Sequence, residues 1–250
     1  MPSPHWIHSA ATRWACTGVA LAAAACAPFS PKPAKTSEAP PVAAACPPAL
    51  AALASCLAGQ DSAGAYYLIA MPHQWNGHLV LHAHGGPALG APRPERSAAD
   101  LERWAIMVKA GYAWAGSTFR QGGVEVRAAA EDTERLRQIF VGHVAQPRRT
   151  ILHGQSWGAS VAARGAEMFT STTQGQRPYD AVLLTSGVLA GGSRSYDFRT
   201  DLRVVYQYLC NNHPRPTEVQ YPLNIGLPAD ATLTPTDLAV RVNECLGLDK

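Results

Sequence analysis

The sequence has almost no excess of charge of either sign, and it lacks the usual signatures of a metal site. Its 250 residues contain 21 Lys and Arg against 18 Asp and Glu, a net charge of +3 that is too balanced for a nucleic-acid-binding protein. It has no CxxC pair and no Cys/His spacing typical of zinc, so we expect neither a metal nor an organic cofactor. Hydrophobic residues make up 47% of the chain and charged residues 16%, which predicts a packed core rather than general disorder.

The N-terminal segment lacks a hydrophobic run long enough to span a membrane. Arg13 is the only formally charged residue before Cys26, and the apolar residues 14–25 fall short of the ~20 that a transmembrane helix needs. Residues 1–26 are therefore typical of an export signal. The run Ala23-Ala24-Ala25-Cys26 fits a cleavage site and also resembles a bacterial lipoprotein box, in which Cys26 becomes lipidated. Periplasmic secretion and attachment to the outer membrane through Cys26 both stay open.

The next segment, residues 27–48, is rich in Pro and Ala and has no regular apolar pattern. Such a composition predicts a tether, so we expect the folded part to begin near Cys46.

Four cysteines lie outside the signal and the lipoprotein box: Cys46, Cys56, Cys210 and Cys245. In an oxidising compartment they predict two disulfides. Neighbour spacing favours Cys46 with Cys56 and Cys210 with Cys245, although three connectivities are allowed.

Strand-like and helix-like segments alternate through the body of the chain. Strands are predicted at residues 65–72, 78–83, 112–119, 150–153 and 181–185. Apolar residues at helical spacing predict helices near residues 101–108, 136–144 and 159–169. This alternation predicts an α/β fold with a mostly parallel, doubly wound sheet.

The motif Gly154-Gln155-Ser156-Trp157-Gly158 lies between a predicted strand and a predicted helix. This is the context of a nucleophile elbow, a strained turn that exposes its serine above a sheet. Side chains at Gly154 or Gly158 would collide with neighbouring backbone, and the helix start offers free N–H groups to an oxyanion.

A second motif, His84-Gly85-Gly86-Pro87, follows the strand at residues 78–83. With both motifs in place, residues 65–187 resemble the α/β-hydrolase superfamily, and the HGGP sequence is most similar to its proline-iminopeptidase-like branch. The resemblance implies that Ser156 is the nucleophile and that the backbone N–H of Trp157 is one oxyanion donor. Gly86 is our choice for the second donor, with Gly85 as the alternative. His84 is expected to be a structural hydrogen-bonding residue.

The resemblance also divides the folded part into a core at residues 49–190 and a helical cap at 191–250. Cap helices are predicted around residues 202–209 and from Pro235, with Thr234 as the N-cap.

The family places an acid and then a histidine after the nucleophile, yet His213 is the only histidine that follows Ser156. Asp197 is the matching acid candidate, and neither residue follows a predicted strand. We therefore expect the last strands, with the acid and the histidine, to lie beyond Lys250. A complete triad of Ser156, Asp197 and His213 is the alternative.

The expected function is hydrolysis of an ester, or of an amide, through an acyl-enzyme on Ser156. A serine peptidase and a non-catalytic lipoprotein that uses the fold for binding are the alternatives. The expected partner is a small-molecule ester or a peptide.

Overall fold

The computed structural model describes residues 36–86, 90–123, 125–172 and 175–248, and these residues form a seven-stranded sheet. In chain order its strands are β1 (Val42–Ala44), β2 (Ala54–Gln60), β3 (Tyr66–Pro72), β4 (His78–Ala83), β5 (Ala113–Ser117), β6 (Arg149–Gln155) and β7 (Ala181–Thr185). Their order across the sheet is β1-β2-β3-β5-β4-β6-β7. Strands β4 to β7 are parallel to one another, whereas β1, β2 and β3 join through antiparallel pairs.

Helices cover both faces of this sheet. The first face carries α1 (Glu95–Arg103) and α2 (Ala105–Lys109), and the second carries α3 (Val126–Ile139) and α4 (Trp157–Met168). Two further helices, α5 (Gly192–Cys210) and α6 (Pro235–Leu246), follow the last strand. The fold is therefore the α/β arrangement that the alternating pattern predicted.

The central strands are buried on both sides, which explains their nearly continuous apolar sequences. In β4, Leu79 and Leu81 pack with α3 and α4, while Val80 packs on the opposite face with α1 and α2. In β5, Trp114 lies on the α1 and α2 face, between Ala113 and Ala115 on the other.

The N-terminal edge of the sheet, strands β1 and β2, was not predicted from the sequence. β2 is half-exposed and contains Ala and Gly, so its sequence lacks the β-branched and aromatic residues that mark a strand. β1 lies within the segment predicted to be a tether and pairs with β2 through its backbone.

Both favoured disulfides, Cys46–Cys56 and Cys210–Cys245, are confirmed. The first joins the segment after β1 to β2, and the second joins the end of α5 to α6. No helix of the described residues is long and apolar enough to cross a bilayer. The predicted signal and the lipid site at Cys26 lie outside the described residues.

Candidate active site

Ser156 lies in a sharp turn between β6 and α4. Its backbone has φ 56° and ψ −120°, a conformation that is strained for a residue with a side chain. The N–H of Ser156 donates to the Thr185 carbonyl at 2.9 Å, and its carbonyl accepts from the Ala159 N–H at 3.1 Å. These bonds tie the strained turn to β7 on one side and to the first turn of α4 on the other.

The two glycines around Ser156 are required by close backbone contacts. A Cβ atom on Gly154 would lie 2.1 Å from the Gly158 carbonyl oxygen, and one on Gly158 would lie 2.1 Å from the Ala83 carbonyl oxygen. The second contact also presses the elbow against the end of β4, the strand that leads into the His84-Gly85-Gly86 loop.

That loop lies directly against the elbow. A Cβ on Gly85 would lie 2.8 Å from the Gln155 carbonyl oxygen and 3.5 Å from the Ser156 Cβ, while Gly86 has φ +73°. Within the described residues, the backbone N–H groups of Gly86 and Trp157 donate to no other protein group. Because β4 and β6 are neighbours in the sheet, the strained Ser156 of the elbow lies beside the His84-Gly85-Gly86 loop. The Trp157 and Gly86 N–H groups are available there as hydrogen-bond donors. The chain has the α/β-hydrolase fold.

No family model and no curated protein matches the sequence. Among solved structures, Esterase B from Lactobacillus rhamnosis aligns at 17% identity and a TM-score of 0.37, over 49% of this chain and 43% of its own. An esterase of the bacterial hormone-sensitive lipase family aligns at 17% identity and a TM-score of 0.44, over 68% and 59%. Vibralactone cyclase aligns at 14% identity and a TM-score of 0.42, over 73% and 50%. The chain thus spans about half the length of the solved structures that it matches.

Beneath the two loops lies a buried histidine pair that the sequence analysis did not identify. His82 of β4 and His153 of β6 face each other across the sheet, with their Nδ1 atoms 2.9 Å apart. The Nε2 atom of His153 lies 3.4 Å from the hydroxyl of Thr185, and that hydroxyl donates to the Gly154 carbonyl at 3.2 Å.

One arrangement of protons satisfies all three contacts. His82 donates from Nδ1 to His153 Nδ1, His153 donates from Nε2 to Thr185, and Thr185 donates to the Gly154 carbonyl. In this arrangement the lone pair of His82 Nε2 is buried and has no hydrogen-bond donor among the described residues, which is its energetic cost. The chain of hydrogen bonds therefore ends on the elbow.

This arrangement requires both imidazoles to be neutral. Burial lowers the pKa of His153 to about 4. Burial, and then the charge of His153, lowers the pKa of His82 well below its usual value. Among the described residues, no group of three or more His, Cys, Asp or Glu side chains is placed to hold a metal ion.

His84 is held by groups around it. Its ring stacks on Phe119 at 4.2 Å between centroids, and its Nε2 atom lies 3.4 Å from the Thr118 carbonyl oxygen. Burial and the charge of Arg96 lower its pKa to about 4, so the ring is neutral near pH 7. These contacts fit the expected structural role.

A small cleft lies beside the two loops. Its lining includes His84, Gly86, Phe119, Gln121, Glu125 and Trp157. The loop after β5 forms one wall of the cleft, and the fully buried Asp132 holds the start of this loop. Asp132 accepts from the Arg120 N–H at 2.7 Å and pairs with Arg135 at 2.8 Å. Asp132 therefore anchors the loop that follows β5.

The two triad candidates, Asp197 and His213, contact groups other than Ser156. Asp197 is exposed on α5, and its carboxylate lies 3.8 Å from Arg194. His213 is buried between α5 and α6, where its Nδ1 atom lies 2.9 Å from the hydroxyl of Tyr221. Burial and two nearby arginines, Arg203 and Arg241, lower its pKa. Neither candidate hydrogen-bonds to Ser156 within the described residues.

Sequence reasoning also missed the arginines of α1 that reach both loops, Arg96 and Arg103. The sequence does carry a signal for the histidine pair. His82 lies three residues before Gly85, and His153 lies three residues before Ser156, so both occupy the same position relative to their loops. In-register strands then bring the two rings together.

Proposed function

We propose that the chain is a serine hydrolase that cleaves a carboxylic ester, or an amide, through an acyl-enzyme on Ser156. The observation that carries this proposal is the strained Ser156 beside two backbone N–H groups that have no acceptor among the described residues. A serine held in this way exposes its hydroxyl, and free amides are the groups that bind a developing oxyanion.

The reaction begins when the Ser156 Oγ attacks the ester carbonyl carbon. The carbonyl oxygen becomes an oxyanion that the N–H groups of Trp157 and Gly86 stabilise, and the alcohol leaves as the acyl-enzyme forms. Water then attacks the acyl-enzyme and releases the acid. A general base takes the Ser156 proton in the first attack and gives it to the leaving alcohol oxygen. In the second attack it takes a proton from the water and returns it to Ser156 as the acid leaves. In this fold the base is a histidine that follows the nucleophile in the chain.

A non-catalytic binding protein is the second candidate, and one observation favours it. Within the described residues, no histidine hydrogen-bonds to the Ser156 hydroxyl. A serine without a base attacks poorly, because the hydroxyl keeps its proton.

The proposal includes export from the cytoplasm. Two disulfides fit an oxidising compartment such as the periplasm. Lipid attachment at Cys26 belongs to the same proposal and depends on the lipoprotein box alone.

The test is hydrolysis of p-nitrophenyl acetate, butyrate and octanoate by the native protein, purified as the cell produces it, and by its Ser156→Ala variant. If the protein is a serine esterase, the variant hydrolyses these esters more than about 1,000-fold more slowly. Equal rates would show that the hydrolysis does not use Ser156. No hydrolysis by the native protein would favour the binding protein. Prolyl p-nitroanilide, tested in parallel, separates the esterase from an iminopeptidase-like enzyme.

A further inference from the structure

Two arginines of helix α1 contact the two loops of the candidate site, the His84-Gly85-Gly86 loop and the elbow. Arg96 donates from Nη2 to the Gly85 carbonyl at 2.5 Å, and Arg103 donates from Nη1 to the Gln155 side chain at 3.1 Å. Gly85 lies in the oxyanion loop and Gln155 directly precedes Ser156. We propose that Arg96 is a positioning residue, which orients the Gly85–Gly86 peptide so that the Gly86 N–H faces the oxyanion. This inference rests on the proposed function.

The geometry of a peptide bond links Arg96 to that N–H group. The Gly85 carbonyl and the Gly86 N–H belong to the same planar peptide, and in a trans peptide they point in opposite directions. A guanidinium that holds the carbonyl on the α1 side therefore directs the N–H to the other side. That N–H has no protein acceptor among the described residues.

Among the described residues, the Gly85 carbonyl has one polar neighbour besides Arg96, the Nδ1 atom of His84 at 3.3 Å. Gly86 has φ +73°, and a Cβ built there would meet no atom of the described residues within 4 Å. Gly85 packs closely against the Gln155 carbonyl, since an added Cβ would lie 2.8 Å from its oxygen. This contact does not fix the rotation of the peptide that follows Gly85. Two consecutive glycines have the largest backbone freedom to lose, so an external hydrogen bond has the most to contribute here.

The guanidinium is itself held in place. Its Nη2 atom lies 3.4 Å from Nδ1 of His84, which accepts when the proton of the neutral ring is on Nε2, the atom that faces the Thr118 carbonyl. Its Nε atom lies 3.8 Å from the Asp100 carboxylate. A charged donor on the carbonyl also polarises the peptide, which makes the Gly86 N–H a stronger donor to an oxyanion.

The test compares Arg96→Ala and Arg96→Lys with Arg93→Ala, which removes an exposed arginine of the same segment. Rates are normalised to the active-site titre with a fluorophosphonate. We expect Arg96→Ala to lower kcat by about 10- to 100-fold with KM within about twofold, because a misplaced oxyanion donor acts on the transition state. Arg96→Lys should recover part of the loss, and Arg93→Ala should match the wild type. Unchanged kcat in Arg96→Ala, or a loss confined to the titre, would overturn the proposal.

A second measurement does not depend on activity. Nitrogen-15 relaxation of the glycine-labelled chain reports the backbone order of Gly86. We expect its order parameter to fall from about 0.85 toward about 0.6 in Arg96→Ala and to stay unchanged in Arg93→Ala. An unchanged value in Arg96→Ala refutes the role of Arg96 even if the wild-type chain hydrolyses no ester. If the wild type is inactive but the order parameter of Gly86 falls in Arg96→Ala, the proposed function is refuted and the role of Arg96 stands.

Discussion

At the scale of single residues, the backbone of Ser156 is strained, and contacts with neighbouring residues keep it in that conformation. A non-glycine residue in the conformation of Ser156 costs about 1–3 kcal/mol, and it persists because surrounding contacts determine it. Those contacts are the hydrogen bonds to Thr185 and Ala159, and the close packing of Gly154 and Gly158. The two glycines should therefore tolerate no side chain.

The first prediction concerns Gly154. Replacing it with Ala places a methyl group 2.1 Å from the Gly158 carbonyl oxygen, a backbone atom that cannot move without shifting α4. We expect Gly154→Ala to lower the free energy of unfolding by about 2 kcal/mol or more, measured by urea denaturation. The control is Gly226→Ala, where a Cβ meets nothing within 4 Å. Equal stability of the two variants would contradict the packing described for the elbow.

A second prediction at this scale concerns pH and the buried His153. Its folded-state pKa is about 4 against 6.5 for a free histidine, so the unfolded chain binds a proton first as the pH falls. Stability is therefore lost between about pH 6.5 and pH 4, by on the order of 3 kcal/mol for this histidine. His82 acts in the same direction, whereas Asp100, with its pKa raised to about 6 by burial, acts in the opposite one.

The difference between variants isolates the histidine. We expect the unfolding free energy of His153→Gln to fall less steeply on acidification than that of the wild type. His73→Gln, at an exposed histidine, serves as the control and should keep the wild-type slope. Parallel slopes for the wild type and His153→Gln would show that His153 is not buried in its neutral form.

At the scale of elements, local signals predicted some boundaries closely. The strands at 78–83 and 181–185 have the predicted bounds. Helix α6 begins at Pro235, and Thr234 and Asp237 form a reciprocal capping box. The helix predicted over residues 101–108 is divided between α1 and α2, because Trp104 leaves the helical conformation with φ −104° and ψ 19°. The periodicity of apolar residues shows which face of a helix is buried. It does not show where the backbone leaves the helical conformation.

We expect the Cys210–Cys245 disulfide to hold helix α6 in place. Arg241 is its only buried side chain within the described residues, so apolar packing does little to hold it. The Cys210–Cys245 bridge closes a segment of 35 residues, which restricts the unfolded chain by about 4 kcal/mol, against about 3 kcal/mol for the 10 residues of Cys46–Cys56.

We therefore expect Cys210→Ser with Cys245→Ser to release α6 and to open the segment between α5 and α6 to trypsin. Cleavage there is measured by limited proteolysis with mass spectrometry. Cys46→Ser with Cys56→Ser is the control, and it should leave that segment as resistant as in the wild type. Equal resistance in the two double variants would show that packing holds α6 without the bridge.

At the scale of the whole molecule, the candidate site forms where the strand order brings distant residues together. The sequence predicts both loops, because each motif follows a strand. It does not predict that β4 lies between β5 and β6, since side-chain periodicity carries no information about strand order. The contacts of Arg96 with Gly85 and of His82 with His153 follow from that order, so they appear only in the structure.

The sheet also has an exposed edge at β7. In the described residues β7 pairs only with β6, and its Val182 and Leu183 are 41% and 47% exposed. An apolar edge strand is a template for pairing with another chain. We expect the wild-type chain to self-associate with rising concentration in light scattering, and Val182→Lys to reduce this. Ile106→Lys, at an exposed residue of α2, is the control and should not. Equal association in all three chains would exclude the edge as the cause.

Labelling of native protein with a fluorophosphonate tests the central claim most directly, because such probes react with an activated serine and leave an adduct of known mass. We expect a single adduct, located by peptide mass spectrometry on Ser156, and no adduct in Ser156→Ala or in the denatured chain. An unlabelled native protein, or an adduct on another residue, would contradict it.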